Sequence, residues 1–349
     1  MKRDKLVGLT TPGGWKLLNA REPSGRHTGG CHSWGYVAAN DDGDFAFVKA
    51  LDMRLGLEKD GDLQTALRAH STRVDQFRYE WDLAERCTNA RLSGVVQALE
   101  EGYFIVEGEQ NPVPFLVFEL AEGDLREQSD LERRFDLAFR LRVLHKTAVG
   151  LAQLHGIRIA LQDMKPSNII VFRDHVTKIA DLGNAHHREF ARPGVDEQIA
   201  ADKYYAPPEQ LYGAVRSGWE TRRLAADLYL LGSIAVFLTT GVGMTQSLKT
   251  QIRDEHWWTN FSDEYEQVIP YLREAMDAVL EEVRAESEEE IADEVVELIG
   301  YLCDPDPDER GHPRNVAGAG GRCGLERFVS RFDRMASYAE YRLRRSNSR

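Results

Sequence analysis

Asp163, Lys165 and Asn168 fall within six residues, and Asp181-Leu182-Gly183 begins thirteen residues after Asn168. Two carboxylates, an amide and an ammonium are the side chains that phosphoryl transfer from a nucleotide needs. One carboxylate can orient a hydroxyl nucleophile. The other can join the amide in holding Mg²⁺ through hard oxygen ligands, while the lysine neutralises charge on the moving phosphoryl group. The local pattern predicts two loops joined by a hairpin. Residues 168–172 and 176–180 read as strands around the polar turn 173–175, and such a hairpin brings Asn168 and Asp181 together. Upstream, Leu137, Leu141, Leu144, Ala148 and Leu151 step by four, three, four and three, which is one apolar helical face, and Gly156 is a stop signal for that helix.

This run resembles the catalytic and metal loops of the Hanks-type, eukaryotic-like serine/threonine protein kinases, where D-x-K-x-x-N and D-F-G recur. The resemblance implies an α+β fold of two lobes, a small β-rich N-lobe and a larger helical C-lobe, with ATP and Mg²⁺ between them (Mn²⁺ is the alternative ion). It covers residues ~29 to ~311. Asp163, Lys165 and Lys49 take the catalytic roles, and Asn168 and Asp181 hold the metal. Gly30, Gly35 and Val37 fit a glycine-rich phosphate loop in which His32 replaces the middle glycine. Lys49 ends the strand 45–49 and corresponds to the lysine on the α- and β-phosphates. Its helical partner is Glu80, with Glu85 as the competitor, and the long gap between Lys49 and Glu80 predicts an insertion near 54–73. Phe47 shares the face of Lys49 by period-two alternation and would narrow the adenine site. The hinge follows Phe118, with the Glu119 carbonyl and the Ala121 N–H facing the base, and Ile170 joins the nucleotide-binding set.

Pro207-Pro208-Glu209, Asp227 and Arg310 resemble elements that favour a protein substrate. The aspartate would anchor the catalytic loop, and Glu209 would pair with Arg310. Lys165 matches the serine/threonine subgroup. Three departures bear on regulation. The arginine before the catalytic aspartate is Gln162, residues 184–203 contain no Ser, Thr or Tyr, and a threonine expected near the P-P-E is Asp202. Glutamine cannot read a phosphate as paired guanidinium donors do, so activity is expected without activation-loop phosphorylation. Asp202 would repel Asp163, pair with Lys165 or face solvent. The rival readings are a nucleotide-binding pseudokinase scaffold and a small-molecule kinase.

The domain boundaries expected are an N-lobe at 1–120, a C-lobe at 121–312 and an arginine-rich helix and tail at 313–349, with the last four residues disordered. The chain of 349 residues carries a net charge of −13, which argues against general nucleic-acid affinity. Acids concentrate in 281–309, thirteen against the lone base Arg284, while the last forty residues hold ten arginines and three acids. These segments are expected to pack near each other or to offer partner-docking surfaces, the acidic one at 281–309 and the arginine-rich one at 322–349. Phe328, Phe332, Met335 and Tyr338 suggest the apolar stripe of the terminal helix. No apolar run approaches the ~20 residues of a membrane span. Four cysteines without metal-like spacing read as free thiols of a cytoplasmic protein.

Overall fold

The computed structural model describes residues 3–21, 33–53, 63–109, 111–127, 136–173, 176–194, 202–214, 216–315 and 321–347. Gly30, Cys31 and His32 therefore lie outside the described residues, as does part of the 54–73 segment. The chain forms two compact units, one of residues 1–122 with 181–183 and 192–195, the other of 123–180, 184–191 and 196–349.

The first unit is built on an antiparallel sheet of five strands, in the order β1-β2-β3-β5-β4. They are β1 (Lys16–Ala20), β2 (Ser33–Ala39), β3 (Phe45–Leu51), β4 (Ala98–Phe104) and β5 (Val113–Glu119). Alternation sorts their side chains. Trp34, Tyr36 and Ala38 of β2 and Ala46, Val48 and Ala50 of β3 are buried in one cluster with Leu17, Phe115 and Val117. Gly35, Val37, Phe47 and Lys49 therefore share the opposite face. Register aligns them, with Gly35 across from Lys49 and Val37 across from Phe47. Helix α1 (Leu63–Asn89) packs there through Phe77, against Leu51 and Leu116. Residues 63–73 are the first turns of this helix, so part of the expected insertion is helical extension.

The second unit is mostly helical. Helix α2 (Leu137–Gly156) starts at the N-cap Asp136, whose side chain accepts the Phe139 N–H at 2.7 Å. Leu141, Leu144, Ala148 and Leu151 of its periodic face are buried and Leu137 is half-buried, and Arg158 just beyond its end is left-handed at φ 65°. Short strands follow: β6 (Gly123–Asp124) pairs with β8 (Ile169–Val171), which pairs with β9 (Thr177–Ile179), and β7 (Ile159–Ala160) pairs with β10 (His186–His187). After the one-turn helix α3 (Pro208–Leu211), helix α4 (Ala225–Thr240) runs through the core and is capped by left-handed Gly241, whose N–H reaches the Phe237 carbonyl. The expectation that no apolar run approaches a membrane span is corrected: residues 220–240 are long and apolar enough to cross a membrane, but the stretch is 72% buried, which marks a core helix. Gly232 lets α4 approach its neighbour, because a Cβ there would meet Cys303 Sγ at 2.3 Å.

Helices α5 (Met244–Gln251), α6 (Tyr265–Glu286), α7 (Glu289–Cys303) and α8 (Glu326–Asn347) complete the unit. The acidic stretch is thus two helices broken at Ser287, and α8 packs along α2. Its buried stripe is Phe328, Phe332, Met335, Ala336 and Ala339, whereas Tyr338 is exposed. The expected fourth stripe residue is corrected by one position because the helical period carries Ala339, not Tyr338, onto the buried face. The expected disorder is corrected for residues 346 and 347, where the helix continues to Asn347 and Ser346 Oγ donates to the Leu343 carbonyl; residues 348 and 349 lie outside the described residues. Acidic and basic segments pair with each other. Arg331 meets Glu294 and Glu297, Arg334 meets Glu294, and Arg342 meets Glu288 and Glu290. Such exposed pairs contribute about 0–1 kcal/mol each, so they orient α8 while its apolar stripe holds it.

Candidate active site

In the first unit, β3 delivers Lys49 and α1 delivers Glu80. The ammonium donates to both Glu80 carboxylate oxygens, at 2.7 and 2.8 Å, and to Asp181 Oδ1 at 3.3 Å. Glu85 is exposed on the same helix. Burial disfavours the ammonium, but the charges and hydrogen bonds of Asp181 and Glu80 outweigh it and hold the Lys49 pKa above that of an ordinary lysine. Burial pushes the Glu80 carboxyl up, against the pull of Lys49. Asp181 is left-handed at φ 61°, a conformation uncommon outside glycine and one that gathers at functional sites. Gly183 makes room for these carboxylates: a Cβ there would lie 3.1 Å from Asp181 Oδ1 and 3.4 Å from Glu80 Oε2.

Asp163 belongs to the second unit, where it is buried beside Lys165 and Asn168. Lys165 Nζ donates to Asp163 Oδ2 at 3.1 Å, and Asn184 Nδ2 donates to the same oxygen at 3.0 Å. Asn168 directs its amide N–H to the Asp163 carbonyl at 2.8 Å, which turns its amide oxygen to other duties. The hairpin closes as its residues predict: the Ala180 N–H reaches the Asn168 carbonyl at 2.9 Å, so the residue next to Asp181 is tied to Asn168.

The loop holding Asp163 hangs from Asp227. This carboxylate, fully buried on α4, accepts the Leu161 N–H at 2.8 Å, the Gln162 N–H at 2.7 Å, the Gln162 side-chain amide at 3.0 Å and His155 Nε2 at 2.8 Å. Gln162 takes φ 66° to bring both main-chain donors onto one acceptor. Its side chain also bonds the Arg223 carbonyl at 2.9 Å and accepts Arg223 Nη1 at 3.1 Å. Arg223 sits on a π-helical turn, Glu220–Leu224, that leads into α4. Asp227→Ala strips four donors of their acceptor. We expect a loss of about 3 kcal/mol or more in urea-unfolding stability, together with loss of any activity that depends on Asp163.

The remaining expected site residues are distributed as follows. Val37 and Gly35 are half-buried on β2, and a Cβ on Gly35 would lie 2.8 Å from Phe47 Cε2, so the Phe47 ring rests on that glycine. Glu119 ends β5, where its carboxylate accepts the Gln97 N–H at 2.7 Å, and half-buried Ala121 follows it. Ile170 is half-buried between the buried Ile169 and Val171. Asp202 neither meets Lys165 nor turns wholly to solvent. It is half-buried and caps its own turn, accepting the Tyr204 N–H at 3.0 Å. Glu209 and Arg310 form a buried bidentate pair at 2.8 and 2.9 Å. Asn184 and His155 are contributors that sequence reasoning missed. The first stands directly after Gly183, but nothing in its type or spacing signals a bond to Asp163.

Each unit carries a hard oxygen donor of the kind that Mg²⁺ takes together with phosphate. Asp181 and Asn168 offer hard oxygens, and among the described residues no group of three or more His, Cys, Asp or Glu stands ready to hold an ion alone. Mg²⁺ is ordinarily held by one or two carboxylates plus substrate phosphates.

Comparison with known proteins bears on this arrangement. The family model described as "protein kinase domain" matches residues 64–318, well over half of the chain. The chain belongs to the protein kinase family. The match starts in α1, downstream of Gly35 and Lys49. Among relatives, a probable serine/threonine-protein kinase of Bifidobacterium longum is 31% identical over 201 residues, covering 55% of this chain and 24% of the relative. Serine/threonine-protein kinase PknL of Mycobacterium tuberculosis is 28% identical over 207 residues, covering 57% and 47%. A probable serine/threonine-protein kinase of Dictyostelium discoideum is 26% identical over 209 residues, covering 59% and 43%. The chain thus spans less than half the length of these curated relatives. Within the protein kinase family, the small antiparallel sheet and the helical unit correspond to the N- and C-lobes, and the Lys49–Glu80 pair and the Asp163 loop stand one on each.

Proposed function

We propose that this kinase transfers the γ-phosphoryl group of ATP to serine or threonine hydroxyls of a protein, with Mg²⁺, and without phosphorylation of its activation segment. The observation that carries the reading is the buried Asp163 carboxylate with the Lys165 ammonium 3.1 Å from it. Asp163 orients the acceptor hydroxyl and takes its proton late in the transfer. Lys165 and Lys49 stabilise negative charge on the phosphoryl oxygens, and Asn168 and Asp181 are the residues that would hold the metal. Mg²⁺, when bound, would neutralise charge on the phosphates. Transfer of radiolabel from ATP to casein or to the chain itself, with Asp163→Ala as control, tests the reading.

Independence from activation-segment phosphorylation is supported by Gln162, whose amide is engaged by Arg223 and Asp227. It is also supported by an alternative tie on the first unit, where Gln76 Nε2 donates to the Pro193 carbonyl at 3.1 Å and links α1 to the segment without any phosphate. We expect exhaustive phosphatase treatment to leave the specific activity unchanged, as measured by initial rates before and after treatment. A fall to a small fraction would sink this part of the proposal.

The described cysteines are buried free thiols, and burial pushes Cys87 up to about 12 and Cys323 to about 11. They support a reducing, cytoplasmic location. A second reading, a nucleotide-binding scaffold, is favoured by Phe47, whose ring on Gly35 takes space beside the face that carries Lys49. ATP binding without transfer in the assay above would select it.

A further inference from the structure

We propose that Asn184 is a positioning residue that holds the Asp163 carboxylate in its working orientation, a role that rests on the kinase reading above. Three donors converge on Asp163 Oδ2: Asn184 Nδ2 at 3.0 Å, Lys165 Nζ at 3.1 Å and Asn168 Nδ2 at 3.4 Å. They are not equivalent. Asn168 makes its shorter bond to the Asp163 main-chain carbonyl, at 2.8 Å. Lys165 carries a point charge, and phosphoryl oxygens would compete for it during transfer. Asn184 is neutral, is not drawn to phosphate charge, and keeps its bond to the carboxylate under that competition.

The fold delivers Asn184 to this spot by register. His186 pairs with Ala160 in the β7–β10 ladder, and the two chains run antiparallel. Asn184 stands two residues back from His186 and Asp163 three on from Ala160, so the ladder brings the two within reach of each other. Buried Leu182 and Ala185 pin the turn on either side. Asp202, where the family resemblance expects a hydroxyl, has no proton to donate as a carboxylate and accepts the Tyr204 N–H instead. The Asn184 amide supplies the neutral donor that Asp202 cannot.

The test uses the full chain, ATP and casein. Asn184→Leu removes the donor at similar volume. We expect kcat to fall about tenfold to a hundredfold, the effect of losing a hydrogen bond to a charged group, with KM for ATP and the melting temperature unchanged. Asn184→Ser, which keeps a donor on a shorter arm, should lie between. Wild-type kcat in Asn184→Leu overturns the proposal. So does a parallel loss of ATP affinity and melting temperature, the mark of a merely structural side chain. A second measurement does not need turnover: the Asn184 side-chain amide resonance, assigned by its absence from Asn184→Leu, should move in Asp163→Ala, and an unmoved resonance overturns the proposal. If the wild type transfers phosphate, Asp163→Ala does not, and Asn184→Leu matches wild type, the kinase reading stands and only this role falls. A wild type without transfer removes both.

Discussion

Asp163→Ala should reduce phosphoryl transfer by about 10³-fold, within the span by which a positioned acid–base group accelerates proton transfer. Positioning matters as much as proton affinity here, because the acceptor hydroxyl must face the phosphorus before its proton departs. The same replacement leaves Lys165 and Asn184 without the oxygen they share. A buried ammonium stripped of its carboxylate would cost about 3 kcal/mol, so the variant should melt early yet remain folded. Asp163→Asn separates the two effects. It keeps the shape and one acceptor oxygen, but it carries no negative charge and cannot accept the proton. Initial rates on casein and thermal melts on all three chains check the expectation. Near-normal rates in Asp163→Ala with normal ATP binding would remove the kinase reading.

The largest stability effect is expected at Arg310, the bulkiest side chain with no solvent exposure. Its guanidinium meets both Glu209 oxygens and donates to the carbonyls of Asp304 at 2.9 Å, Ala225 at 3.0 Å and Pro305 at 3.4 Å. The Tyr229 ring lies 5.1 Å beneath it. Burial disfavours the charge, and Glu209 more than restores it, so the guanidinium is held well above its ordinary pKa. Arg310→Met should cost about 3–5 kcal/mol, because Glu209 is left buried and charged. For a unit of this size that is a fall of roughly 10 °C in melting temperature. Glu209→Leu with Arg310→Met should recover only part of the loss. The double change removes the stranded charge, but the carbonyls of Asp304 and Ala225 remain without their donor. Full recovery would show that those carbonyl bonds contribute little.

Periodicity and spacing made much of this legible from residue types alone. The four- and three-residue steps of α2 identify its buried face, and the alternation along β3 places Phe47 beside Lys49. Glu80 and Arg310 could be named because the family resemblance implies a helical partner for Lys49 and a late arginine for Glu209. What escaped the sequence depends on tertiary register. The bond from Asn184 to Asp163 exists because two-residue strands pair at Ala160 and His186, and strands so short leave no pattern. Tyr338 and Ala339 are neighbours whose burial is decided by one hundred degrees of helical rotation, about the resolution of an apolar stripe read by eye. Pairing between the acidic and basic helices was one of two expectations that charge counts alone left open. The contacts of Arg331 and Arg342 show pairing within the chain.

The π-helical turn at Glu220–Leu224 makes chain length itself a catalytic variable. Deleting a single residue there would let the turn relax to ordinary α geometry, rotating everything before it by about 100° and drawing it in by about 1.5 Å. Asp227, packed in the core, would stay. The Arg223 carbonyl would swing away from Gln162, and the loop would lose one of its two moorings. A one-codon deletion in an otherwise tolerant surface turn should therefore behave like a missense change at the reaction centre.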